Sequence, residues 1–170
     1  GLDRGQRLER RLRGYFTDLG VAEAWNPSLL RTGEIEALGL ADDHPARRTV
    51  GLANPMSDEE TALRTSLLPG LLRSVGRNAA QRAESIGLFE IARVFEPSDA
   101  ALPTQPLLLG AAFSGNRTPK SWNAPADPWD FFAAKGVLEG AFHSVGVRGL
   151  VFEPVAGMPF HPTRAAAVMF

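Results

Sequence analysis

The chain has 170 residues, 44% of them hydrophobic and 22% charged, with a formal net charge of −1 at pH 7. That length supports a sizeable single core, and the near-neutral balance excludes a global electrostatic case for nucleic acid or membrane while leaving a local basic patch open. The absence of cysteine excludes a disulfide framework, thiolate zinc ligation and a cysteine nucleophile, and it suits a reducing, cytoplasmic setting. No apolar run approaches the roughly 18 residues a membrane helix needs, and the opening GLDRGQRLERRLRG has no apolar stretch of the signal-peptide kind. The chain opens on Gly1 and closes on the apolar residues 165–170. Because natural C-termini usually fray and are polar, this reads as a C-terminally truncated piece of a longer chain, 1–170 forming one domain.

In chain order, residues 3–19 predict an amphipathic helix. Leu8, Leu12, Tyr15, Phe16 and Leu19 fall on one face at 3.6 residues per turn, with Asp3 as N-cap and Gly20 as the stop. A short strand over 21–25 ends at Asn26-Pro27. Thr32 is expected to cap a short helix through Leu38, 41–48 to form a polar turn, and 50–53 a strand. The acidic cluster Asp58-Glu59-Glu60 reads as a solvated turn. Pro69 suits the first turn of a second helix, since its missing N–H costs nothing there; Leu68, Leu71, Leu72, Val75 and Ala79 give the stripe, and Gly87 ends the region.

Residues 88–95, LFEIARVF, are the strongest strand signal, short, aromatic and branched between turn residues. After a proline-rich loop over 96–106, residues 107–114 read as its antiparallel partner, and 115–128 as loop. Asp130 is placed to cap a third helix bearing Phe131, Ala134, Leu138, Ala141, Phe142 and Val145, closed by Gly146. Strands over 150–153 and 165–170 follow. Helices set between groups of strands, without regular βαβ alternation, favour an α+β fold: an antiparallel sheet flanked by helices.

The residues offer little catalytic chemistry. His44, His143 and His161 have no ligand spacing, and no phosphate loop, dinucleotide fingerprint or nucleophile elbow is present. Arg4, Arg7 and Arg11 make one side of the first helix basic. That is either a solvated face or a phosphate-contacting one, and it lacks the aromatic residues that single-strand stacking needs. Glu90 and Arg93 stand on an apolar strand and need partners; Arg64, Asp130 and Lys135 are the candidates.

Five segments occur in the order found in one family. Residues 54–57, NPMS, and 63–72, LRTSLLPGLL, hold Asn54, Pro55, Arg64, Thr65 and Pro69. Residues 88–95 hold Phe89, Glu90 and Arg93. Trp122 with Asp130-Phe131-Phe132 and Lys135-Gly136, then Pro159-Phe160-His161-Pro162 with Arg164-Ala165-Ala166, complete the set. Together these resemble the synthetase-like core of the β subunit of bacterial phenylalanyl-tRNA synthetase. Ala92 and Thr163 stand where that family commonly has glycine.

The resemblance implies a class II aminoacyl-tRNA synthetase-like fold whose first helix, through Leu8, Leu12, Tyr15, Phe16 and Leu19, builds a subunit interface. The implied partners are a catalytic α subunit, in an α2β2 heterotetramer, and tRNA(Phe) through the holoenzyme. ATP and magnesium belong to that holoenzyme, with no cofactor expected on this piece. Catalytic class II cores carry an arginine at the end of the second-motif strand to meet the ATP phosphate; the matching position here is Glu96, a carboxylate that would repel it. The expectation is a non-catalytic, pseudo-catalytic module. Two alternatives stay open, an autonomous ATP-binding, amino-acid-activating enzyme of the same fold, and a tRNA-binding module using Arg4, Arg7 and Arg11.

Overall fold

The computed structural model describes residues 1–157 and 159–170. Helix α1 spans Arg4–Asp18, and its N-terminus is closed as the sequence predicts. The Asp3 side chain accepts from Gln6 N while Gln6 returns a bond to the Asp3 backbone, which satisfies two of the free donors at a helix start. Beyond the C-cap Leu19, Gly20 takes φ +75°, a conformation glycine adopts without steric cost. Strand β1 (Ala22–Glu23) follows, then β2 (Leu29–Arg31), β3 (Val50–Gly51) and β4 (Glu60–Leu63). Helix α2 covers Leu68–Ala80, strands β5 Ser85–Arg93 and β6 Leu107–Thr118, β7 Asp127–Pro128, helix α3 Phe131–Ser144, and the chain closes with β8 (Val151–Pro154) and β9 (Ala166–Met169).

The central sheet runs β1-β5-β6-β7. Strands β5 and β6 form its long antiparallel pair, from Ser85 opposite Gly115 to Arg93 opposite Leu107. Alternation along β5 sends successive side chains to opposite faces. Phe89 and Ile91 meet Phe16 of α1, Val21 and Ala141 of α3, with Leu109 and Phe113 packed beside them. Leu88, Ala92 and Val94 turn the other way, towards Leu67 and Leu71 under α2. The sheet is therefore sandwiched, α1 and α3 on one face and α2 on the other. Phe16 and Phe89 stack at 4.8 Å with 1% and 0% exposure, so truncating either to alanine costs about 3–5 kcal/mol. Gly110 lets α2 sit close, because a Cβ there would lie 2.9 Å from Leu71 Cδ1.

Several expectations need correction. β1 pairs with β5 in parallel, the one departure from an otherwise antiparallel sheet. Residues 28–63 build a second sheet, β2-β4-β3, where a helix from Thr32 was expected. Thr32 instead donates to Glu59 O, and only a 3-10 turn over Glu36–Leu38 forms. Strands this short carry no readable alternation, and their stability comes from Leu30, Ile35, Leu38 and Leu40 closing a separate cluster. Gly87 lies inside β5 rather than ending a region, paired opposite Phe113 of β6. β6 runs on to Thr118 into the expected loop. On α2, Leu71 is buried but Leu72 and Ala79 face outward. The expected final strands pair with each other as a separate antiparallel hairpin.

Candidate functional site

The most constrained chemistry lies where α2, β5 and the turn after β1 meet. Arg64 enters from the turn before α2, and its Nη1 donates to Glu90 Oε1 at 2.7 Å, with both side chains almost wholly buried. Arg64 Nε donates to Arg93 O at 3.0 Å, and Nη1 also reaches Asn26 O and Pro27 O at 3.3 and 3.4 Å. Glu90 Oε2 accepts from Asn26 Nδ2 at 2.8 Å, and Asn26 Oδ1 accepts from Ser74 Oγ of α2 at 2.9 Å. Both charges are thus paired and further hydrogen-bonded, the condition under which burial is tolerated. Arg64 is the partner that Glu90 was expected to find. Asn26 and Ser74 had no signal in the sequence beyond a strand break, yet Asn26 is the hub. Gly70 serves it, since a Cβ there would lie 3.0 Å from Asn26 Cβ and Cγ.

The other expected pairings do not form. Arg93 is exposed and donates to Gln105 O at 2.6 Å. Asp130 is the N-cap of α3, accepting from Ala133 N at 2.7 Å. Lys135 pairs with Glu139 one turn on at 3.3 Å and sits 4.5 Å from the Phe152 ring centroid. Sequence order hid this, because α3 lies on the opposite face of the sheet from the Glu90 carboxylate. Thr65 is buried and donates to Ala46 O, Pro69 is buried in the first turn of α2, and Asn54 and Pro55 lie in an exposed turn. His161 Nδ1 accepts from Thr163 N at 3.2 Å, shaping the turn before β9.

At the end of β5, Glu96 is exposed, and its backbone exchanges two 3.0 Å hydrogen bonds with Thr104. It borders a cavity of about 380 Å³ with His44, Pro45, Ala46, Arg48, Thr65, Ser66 and Pro97. Arg48 is the permanent cation of that lining and Glu96 its carboxylate, a neutral pair that does not fit the several negative charges of a triphosphate. A larger cavity, about 650 Å³, opens between α3 and the β8–β9 hairpin; Asp130, Phe131, Phe132, Lys135, Phe152 and Arg164 are among its walls. Among the described residues no group of three or more His, Asp or Glu side chains is placed to hold a metal ion.

The face of α1 divides. Phe16 is in the core, and Leu12 and Tyr15 pack on it. Leu8 and Leu19 stay exposed. Tyr15 Oη donates to Val137 O at 3.0 Å by crossing α3 at Gly140, where any Cβ would collide with the phenol, and its burial pushes the hydroxyl pKa up from 10.0. Arg4, Arg7 and Arg11 are exposed on the side away from Phe16; Arg7 donates to Leu2 O and Arg11 to Ser144 O.

A sheet of this topology, backed by α1 and α3 with α2 across its other face, is the fold of class II aminoacyl-tRNA synthetases. Pyrrolysyl-tRNA synthetase from Desulfitobacterium hafniense aligns with a TM-score of 0.68 over 97% of this chain and 55% of its own, at 20% identity, a likeness of fold alone. The chain belongs to the family of the phenylalanyl-tRNA synthetase beta chain CLM domain, whose profile matches residues 1–170. It is 40% identical over 164 residues to the phenylalanine–tRNA ligase beta subunit of Moorella thermoacetica, covering 96% of this chain and 20% of that protein. Against the beta subunit of Symbiobacterium thermophilum it is 38% identical over 170 residues, covering 99% and 19%. The chain thus spans about a fifth of the length of the curated relatives it matches. The fold class and the family expected from the sequence are both borne out.

Proposed function

We propose that this chain is a non-catalytic scaffold module within a phenylalanine–tRNA ligase β subunit. It docks on the catalytic α subunit in a cytoplasmic α2β2 assembly that uses ATP and magnesium to attach phenylalanine to tRNA(Phe). The observation that carries the reading is the state of the charges around the end of β5. Arg64 is committed to Glu90 and to three main-chain carbonyls, Arg93 is turned to Gln105 O, and the next charged side chain along the strand is the carboxylate of Glu96. Stabilising a transferring phosphoryl group requires cations aimed at the developing charge; among the described residues lining the cavity beside Glu96, Arg48 is the one arginine, and a single cation offset by a carboxylate does not supply it.

The sheet faces support the same reading, because Leu67, Leu71 and Val94 fill the space beneath α2 with apolar side chains. Co-elution of the purified chain with the α subunit at micromolar concentration tests the reading. A stable complex is the expected result, and independent elution counts against docking through this module.

A further inference from the structure

The β8–β9 hairpin is held against α3 at two points. The Phe170 ring lies 5.3 Å from that of Phe142 in the last turn of the helix, and the Lys135 ammonium stands 4.5 Å from the Phe152 centroid near its start. On the N-terminal side of Lys135 the helix and the hairpin border the cavity of about 650 Å³, within the roughly 300–1,000 Å³ typical of small-molecule sites. Two of the five family segments meet across it: Phe131, Phe132 and Lys135 of α3 face Arg164, Ala165 and Ala166 at the approach to β9. Phe131 and Phe132 pack edge to face at 5.6 Å yet remain 40% and 75% exposed. Asp130, the one carboxylate of the lining, is committed to the α3 cap, and Lys135 is paired with Glu139 at 3.3 Å. Arg164 differs. A turn in which Arg164 N donates to His161 O and Thr163 N donates to His161 Nδ1, both at 3.2 Å, sets it in the cavity wall. Among the described residues its guanidinium belongs to no ion pair.

We propose that this cavity binds a small aromatic carboxylic acid, its ring against Phe131, Phe132 and Phe152 and its carboxylate on Arg164. Aromatic walls select a flat ring, because offset and edge-to-face contacts between rings add to the gain from area burial. The guanidinium selects the carboxylate, which it can meet through two parallel N–H donors. One uncommitted cation matches a single negative charge, which favours a carboxylate over the dianion of a phosphate ester. With Asp130 accepting from the helix backbone, no carboxylate of the lining remains to receive an ammonium, so a simple aromatic acid is favoured over an α-amino acid. The proposal also gives a role to residues that the fold leaves unexplained, since neither the exposed ring of Phe132 nor the guanidinium of Arg164 closes a core cluster or an ion pair. It stands apart from the assembly reading, because no residue of α1 borders this cavity.

The test is calorimetric titration of 3-phenylpropionate into the chain alone and into its complex with the α subunit. For so small a ligand a dissociation constant on the order of 0.1–1 mM is expected. Arg164→Gln and the uncharged analogue 3-phenylpropanol should each weaken binding about tenfold, and Phe132→Ala about fivefold. Both substituted side chains are exposed, and circular dichroism checks that each variant is folded. Phenylalanine should bind more weakly than 3-phenylpropionate. No binding of 3-phenylpropionate up to about 10 mM, equal affinity for 3-phenylpropanol, or affinity unchanged in both variants overturns the proposal. Tighter binding of phenylalanine overturns it as well, because it requires a partner for the ammonium. Binding to the chain alone that is lost in the complex identifies the cavity as a surface the assembly covers and overturns it as a ligand site, with the assembly reading intact. If no complex forms, the assembly reading fails and the titration of the chain alone decides the proposal.

Discussion

Replacing Arg64 by methionine keeps most of the side-chain stem and removes the guanidinium from a site where the Arg64 and Glu90 side chains are 7% and 3% exposed. The Glu90 carboxylate then retains Asn26 Nδ2 as its partner, and the carbonyls of Asn26, Pro27 and Arg93 lose a donor. Removing one member of a buried, hydrogen-bonded ion pair costs about 3–5 kcal/mol, a large fraction of the roughly 5–15 kcal/mol that holds a domain folded. With a urea m-value of about 2 kcal/mol/M, the unfolding midpoint of Arg64→Met should fall by about 2 M, followed through tryptophan fluorescence and circular dichroism. Glu90→Leu should cost a similar amount by leaving the arginine charge unpaired. The double variant should cost less than the sum of the two by about 2 kcal/mol, because each single change strands a charge that the double change removes. Losses below about 1 kcal/mol in both single variants, or simple additivity, would refute the claim that this pair is the domain's structural lock.

Gly70→Ala should destabilise by about 1–3 kcal/mol by pressing on Asn26, and the loss should shrink in an Asn26→Ala background when both are measured by urea unfolding. Asp130→Ala should cost about 1 kcal/mol through the α3 cap, read as a lowered thermal midpoint. Tyr15 has its folded-state pKa raised by burial, so its contribution is fully present below about pH 10 and is lost as pH rises through the folded value. The midpoint should therefore drop above pH 10, and Tyr15→Phe should flatten that drop; an unchanged alkaline slope in the variant would assign the drop elsewhere.

Where sequence and structure agree, the signal is local. Asp3, Gly20, Asp130 and Gly146 bracket their helices because caps are satisfied by residues within a turn or two, and β5 stands out by its branched, aromatic content. What escaped notice depends on non-local contacts. Asn26 reads as a strand break until Glu90, brought from 64 residues away, accepts its amide. Strands β2 and β4 are too short to show a period. The parallel pairing of β1 joins Ala22 and Glu23 to Leu88 and Phe89, far along the chain. Lys135 is a candidate partner for Glu90 by its charge alone, whereas the faces of the sheet decide which charges meet.

Isothermal titration of the chain with ATP and magnesium bears most directly on the reading of this fold as a frame without its nucleotide chemistry. With Arg64 committed to Glu90, Arg93 turned aside and Glu96 at the strand end, no binding heat is expected up to millimolar ATP. Micromolar binding that disappears in Arg93→Ala or Arg64→Met would contradict it.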